Sequence, residues 1–221
     1  KSWAENLVII VPPRAEHCTS GARRDSDELY SNIKVFLLSA NIPYLTFNRQ
    51  EVRDFLLEAN GNMDSLSIDA SAGLIVMNDS LQIPSSRLII KSSGDISAIT
   101  LKTSEDQEQH IANLSLTMQN LKDGIRLNFN QSSIIFNEKT WQIEGNGELT
   151  VSKSYIGAEN IRIVNGQQEI RVASLPSEIG NSNDILISLS KVNLGDILPY
   201  VLKEPKIEGI TSGDITIEDP Y

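Results

Sequence analysis

From Asn62 onward, apolar and polar residues alternate with a period of two. Leu66 and Ile68 alternate with Ser65, Ser67 and Asp69, and Leu81 and Ile83 with Ser80 and Gln82. Leu88 and Ile90 bracket Ile89, the apolar exception. Leu114, Leu116 and Met118 are interleaved with Ser115, Thr117 and Gln119, and Ile125, Leu127 and Phe129 with Arg126, Asn128 and Asn130. Ile185, Ile187 and Leu189 keep the same rhythm. Successive side chains of a strand point to opposite faces, so this rhythm predicts strands with one apolar and one wet face.

Turn formers separate the runs: Asn60-Gly61, Asn78-Asp79, Ser93-Gly94-Asp95, Asp123-Gly124, Gly145-Asn146-Gly147, Asn165-Gly166 and the stretch from Gly180 to Asp184. One strand plus its turn takes about 8 to 12 residues, which fits an antiparallel meander. No crossover helix long enough for a parallel sheet lies between successive strands. The fold class expected is mostly β, with one or two short helices.

Two stretches carry a helical period instead. Val52, Phe55, Leu56 and Ala59 share i, i+3, i+4, i+7 spacing, which predicts a short amphipathic helix over 49–59 with Asn48 as its N-cap. Leu194, Ile197, Leu198 and Val201 predict a second helix within Val192 to Leu202, with Pro199 distorting or ending it. Both are expected to cover sheet ends. Nearer the N-terminus, Leu7 to Val11 reads as a strand and Pro12 to Asp27 as a polar loop, while Ile33 to Leu38 fits a strand or the start of a helix. The expected organisation is an N-terminal segment, 1–61, followed by a β-sheet region, 62–221.

Charge and composition remove whole classes of function. The 221 residues hold 19 Lys plus Arg against 29 Asp plus Glu, a net charge of −10, which argues against a nucleic-acid partner. A single cysteine, Cys18, excludes an internal disulfide, and with only His17 and His110 no His-rich or Cys-rich zinc site can be assembled. No metal or other cofactor is expected. No apolar run approaches the roughly 18 to 20 residues that span a bilayer, and no signal-peptide pattern follows Lys1. A start without Met and an end at Asp219-Pro220-Tyr221 lead to the expectation of a fragment of a longer protein.

Catalytic chemistry finds little support. His17 and Cys18 are sequence neighbours, and neighbours on a strand face opposite ways, so an enzyme would need both to converge with a distant carboxylate. His110 follows the polar tract Glu105 to Gln109 and is expected at an exposed hairpin tip. Acidic residues such as Asp64, Asp69, Asp79, Asp95, Glu105 and Asp106 fall in turns or on polar strand phases. Gly145 to Gly147 reads as a hairpin turn rather than a phosphate cradle. Trp141 is in phase with Ile143, as a core or groove residue would be.

What remains is a long amphipathic sheet, and it has two readings. In one the sheet closes into a β-sandwich with a dry core, a surface or adhesion module binding protein or glycan through its loops. In the other it curls without closing, leaving an aliphatic trough for acyl chains. With about 14 strands at roughly 4.8 Å each, such a trough would run on the order of 65 Å.

The stretch Ile125 to Val172, then Val192 to Pro199 with its Val-Asn-Leu helix and proline, then Gly209 to Asp214 resembles the TamB family of translocation and assembly module subunits. The likeness is to the Bacteroidetes form, within the AsmA-like group, and it covers Asn62 to Tyr221. The resemblance implies an open, taco-shaped antiparallel sheet in the periplasmic part of a protein anchored in the inner membrane. It implies a non-enzymatic bridge that carries phospholipid between inner and outer membranes or assists outer-membrane protein assembly. The expected partners are phospholipid acyl chains and an outer-membrane barrel protein. Lining residues are then expected among the apolar phases: Ile68, Leu116, Leu127, Phe129, Trp141, Ile143, Ile187 and Leu189. Asp64-Ser65-Leu66 and Asp79-Ser80-Leu81 look like periplasmic O-glycosylation tripeptides of Bacteroidetes. Asn78, Asn113 and Asn130 open Asn-x-Ser triplets that matter only in a eukaryotic secretory route.

Overall fold

Strands that are apolar on one side need partners along both edges, and short turns supply those partners from the next run of sequence. The computed structural model describes residues 6–10, 36–47, 50–62, 64–78, 81–106, 109–136, 138–153, 155–176, 183–201, 208–218 and 220. The first strands are β1 (Asn6–Ile10), β2 (Phe36–Phe47), β3 (Gln50–Gly61), β4 (Ser65–Asn78), β5 (Leu81–Ser93), β6 (Ile96–Asp106) and β7 (Gln109–Asn120). Shorter ones follow: β8 (Gly124–Phe129), β9 (Ser132–Phe136), β10 (Lys139–Ile143), β11 (Gly147–Ser152), β12 (Ile156–Glu159) and β13 (Ile161–Asn165). The series ends with β14 (Gln168–Pro176), β15 (Asn183–Asn193), the helix α1 (Leu194–Val201) and β16 (Ile210–Ile217).

All sixteen described strands belong to one open antiparallel sheet, with β1 and β16 as its outer members. The turn between β3 and β4 falls at the boundary expected near residue 61, and the sheet runs through it without a break: Gly61 pairs with Leu66 and Ala59 with Ile68. Among the described residues no second sheet packs on this one to make a sandwich. Among the described residues no helix is long and apolar enough to cross a membrane, a statement that does not bear on β-barrels.

An apparent branch in the sheet is a bend. β8 and β9 both pair with β7, β8 through Leu116↔Phe129 and β9 through Ala112↔Ile134, so the chain runs along one edge of β7 and kinks at Asn130 and Gln131. β10 and β11 repeat this along β9 and β8, and β12 and β13 along β11 and β10. Asn146 and Asn160 adopt left-handed φ values of 78° and 51° at these kinks, a conformation that asparagine tolerates better than most residues. Ser132 fastens the first kink: its hydroxyl accepts the Ser115 N–H at 2.9 Å and donates to the Asn130 carbonyl at 2.9 Å. Counted this way the meander is thirteen ranks wide, and twelve steps of about 4.8 Å make it about 58 Å long.

The long N-terminal strands are interrupted in mid-course as well. Arg53 pairs with Leu74 and Leu56 with Ser71, leaving no register pair at Asp54, whose φ is 51°. Gly73 faces this point, where an added Cβ would stand 3.0 Å from Asp54 Oδ2. Such interruptions bend strands. Ala40, Ala59, Ala72, Ser86, Ser97, Thr103, Ala112, Ser132 and Ala158 are buried, and the register puts them all on one face of this single layer. Larger neighbours lean over these small side chains, as on the inner wall of a curled sheet, and this face is termed the concave one below.

Three expectations are corrected. The helix expected over 49–59 does not form in its described part: β3 covers 50–59, with Phe55, Leu57 and Ala59 on the concave side and Leu56 48% exposed on the other. A ladder on each edge of β3 outweighs a helical period of barely two turns, which no cap or packed surface reinforces. Gly145 to Gly147 is not a hairpin turn, because β10 and β11 pair sideways with β9 and β8 and not with each other. The rank count is thirteen, where about fourteen were expected.

Other expectations meet the structure directly. Phe36 to Leu38 is strand, and β1 overlaps the expected run Leu7 to Val11, starting one residue earlier. The second helix is α1: Asn193 Oδ1 accepts the Gly195 N–H at 3.1 Å as its N-terminal cap, and the helix ends two residues after Pro199. Pro12 to Asp27, including His17 and Cys18, lies outside the described residues, as do Asp79 and Ser80.

Candidate functional site

Directly opposite residues of an antiparallel pair project from the same face, so the register tells which side chains share a wall. One cross-strand row runs Ala59, Ile68, Ile90, Ile99, Leu116, Phe129, Gly147. The next row runs Ser97, Met118, Leu127, Leu149, Ala158. On the far side of the kink, Ser132, Ile143, Ile163, Ile170, Leu189 and Gly213 form a row, with Ile161, Val172, Ile187 and Ile215 beside it. A fifth row holds Thr103, Ala112, Ile134 and Trp141.

Every candidate lining residue therefore stands on the concave face. Ile68, Leu116 and Phe129 share one row, Leu127 lies in the next, Ile143 and Leu189 share another, and Ile187 and Trp141 complete the set. Trp141 is 1% exposed, while the other seven are half-buried. Among the described residues, fully buried large side chains are few, namely Trp141, Val192 and Asp196. A packed core would hide its leucines and isoleucines entirely; here they form an aliphatic wall over which, among the described residues, no second sheet lies.

The opposite face carries the charge. Arg162 bonds Glu144 at 2.6 Å and Glu169 at 2.9 Å, and Arg171 also bonds Glu169. Hydrogen bonds from Arg162 and then Arg171 pull the Glu169 carboxyl down to about 2, and those to Glu169 and Glu144 raise Arg162 above its ordinary value. Arg87 bonds Asp69 at 2.9 Å and holds its carboxyl below the usual range. A shallow depression of about 430 Å³ between Ser39, Asn41, Glu58, Asp69 and Arg87 lies on this polar side, away from the aliphatic wall. Ions and hydroxyls keep the convex surface wet, which leaves the concave one as the candidate site.

One charged pair intrudes on the concave face, and sequence reasoning did not find it. Lys139 is in phase with Trp141 and Ile143 on β10, and its Nζ lies 2.6 Å from Oδ2 of Asp196 in the first turn of α1. Asp196 is 1% exposed. Three strand steps separate β15 from β10, so the helix folds back over the face to reach Lys139. A lone lysine on an apolar phase was the signal available in the sequence. Among the described residues, two polar atoms on this face are buried without hydrogen-bond partners, Trp141 Nε1 and Thr103 Oγ1.

Among the described residues no group of His, Cys, Asp and Glu could hold a metal ion. His110 pairs with Ser104 in the β6–β7 ladder. Asp64 and Ser65 are exposed at the β3–β4 turn, whereas Asn113 is half-buried within β7. No protein-family model, curated protein or solved structure matches the chain.

Proposed function

We propose that the concave face is a trough for acyl chains and that the chain is a non-enzymatic stretch of a periplasmic bridge carrying phospholipid between inner and outer membranes. One observation carries the reading: an open single-layer sheet keeps an aliphatic wall of half-buried Leu, Ile and Phe that, among the described residues, no second sheet covers. Hydrocarbon offers no directional groups, so a smooth wall of aliphatic side chains is sufficient chemistry, and each methylene removed from water contributes about 0.8 kcal/mol. A phosphate headgroup can remain at the open mouth, in water.

The resemblance to the TamB family supplies the cellular setting of this proposal: a protein held in the inner membrane, working with an outer-membrane barrel protein. The surface-module alternative draws no support from the fold, since its sandwich core is missing. Native mass spectrometry of chain purified without detergent is the test. The trough reading expects co-purifying phospholipid and acceleration of lipid transfer between donor and acceptor vesicles. A chain that carries no lipid and leaves the transfer rate at its spontaneous value would end it.

A further inference from the structure

The concave face is not aliphatic throughout. On β10, the ninth of its thirteen ranks, stand Lys139 and Trp141, two residues apart on one strand and facing the same way. α1 meets this stretch at Lys139, against which Asp196 is seated at 2.6 Å. The seat is polar on both sides: the carboxylate is almost fully buried while the ammonium is 40% exposed. Nearby, the indole N–H of Trp141 is buried without an acceptor. Thr103 Oγ1 sits without a partner in the same cross-strand row, three strand spacings or about 14 Å away.

Buried donors that lack acceptors are rare in folded proteins and are satisfied by water, an ion or a ligand where these have access. The ligand chemistry can be narrowed. Its body must be hydrocarbon, to match the aliphatic rows on either side. Its polar atom must accept without needing to donate, because the orphan at Trp141 is a donor only. An ester carbonyl on an acyl chain meets both conditions.

We propose that α1 is a displaceable cover, and that lifting it presents the Trp141 N–H to the carbonyl oxygen of an acyl ester lying in the trough. This rests on the acyl-trough reading and adds to it a specific contact and a gate. The cover is short, eight residues, and lifting it returns Asp196 to water. The polar seat favours a helix that leaves and returns, since an ion pair taken out of water gains less than a matched apolar contact.

The test uses the whole chain with Trp3→Phe, so that Trp141 is the single indole, and vesicles of phosphatidylcholine brominated on its acyl chains. The parent should show weak bromine quenching of Trp141. Lys139→Ala should raise the quenching several-fold, and Asp196→Asn, which keeps the shape and drops the charge, should do the same if the alanine variant folds poorly. Lys139→Met/Asp196→Leu, an apolar seat, should return it to the parental level. With Asp196→Asn in place, diacyl phosphatidylcholine should be retained about 2- to 10-fold better than its dialkyl-ether analogue, the span expected of one neutral hydrogen bond. Trp141→Phe should erase that preference.

Equal quenching in all variants overturns the cover, and equal retention of ester and ether overturns the N–H contact. A photoreactive group at Leu127 separates these failures from that of the parent reading. Lipid captured there while Trp141 fails to respond removes the cover alone, and no capture removes the trough with it.

Discussion

Replacing Leu127 by aspartate places a charge in the middle of the aliphatic wall, between Met118 and Leu149 on the neighbouring strands. Leu127 is half-buried, so its loss to folding is about half of a full leucine burial, roughly 1 kcal/mol. The effect on an acyl chain is larger. A hydrated carboxylate strips the wall from three or four methylenes, which at about 0.8 kcal/mol each amounts to about 3 kcal/mol. That corresponds to roughly a hundredfold loss of occupancy at this point. The assay is vesicle-to-vesicle transfer of a fluorescent phospholipid, read beside a thermal melt. Leu127→Asp should abolish transfer with a melting point lowered by only a few degrees, while Asn128→Asp, one residue away on the polar face, should change neither. A Leu127→Asp chain that folds and transfers lipid at the parental rate would refute the reasoning.

Three further outcomes follow from the same geometry. Trp141→Ala removes the largest buried side chain of the concave face and should destabilise the chain by about 3 to 5 kcal/mol in urea unfolding, with Trp141→Phe milder. Ser132→Ala deletes the hydroxyl that bonds Ser115 and Asn130 at the kink and should lower stability by about 1 to 3 kcal/mol, with faster amide exchange at Ser115 as the local readout. Glu169 has its carboxyl lowered to about 2 in the fold. Its stabilising contribution is therefore complete above the ordinary carboxylate value and fades as pH falls from there through about 2. Melting points between pH 6 and 2 should decline less steeply in Glu169→Gln than in the parent.

Much of the architecture could be read from period alone. Alternation predicted β4, β5, β7, β8 and β15, and because antiparallel pairing joins like phases, residues as distant as Ile68 and Leu189 were brought to one wall. β3 was misread because Val52, Phe55, Leu56 and Ala59 satisfy a helical template, while Phe55, Leu57 and Ala59 satisfy a strand template equally well. Only the flanking ladders decide between them. Gly145 to Gly147 has hairpin chemistry but serves as a kink, since turn residues also suit a bend within a strand. The pairing of Lys139 with Asp196 spans 57 positions and depends on where α1 folds back, which no local pattern encodes.

The direct test is a photocrosslinking scan along successive positions of several strands, performed in the presence of phospholipid vesicles. Capture should follow a period of two, with lipid adducts at Ile68, Leu116, Leu127 and Ile187 and none at Ser67, Ser115, Asn128 and Ser188. Adducts at both sets alike, or at neither, would contradict an acyl trough on the concave face.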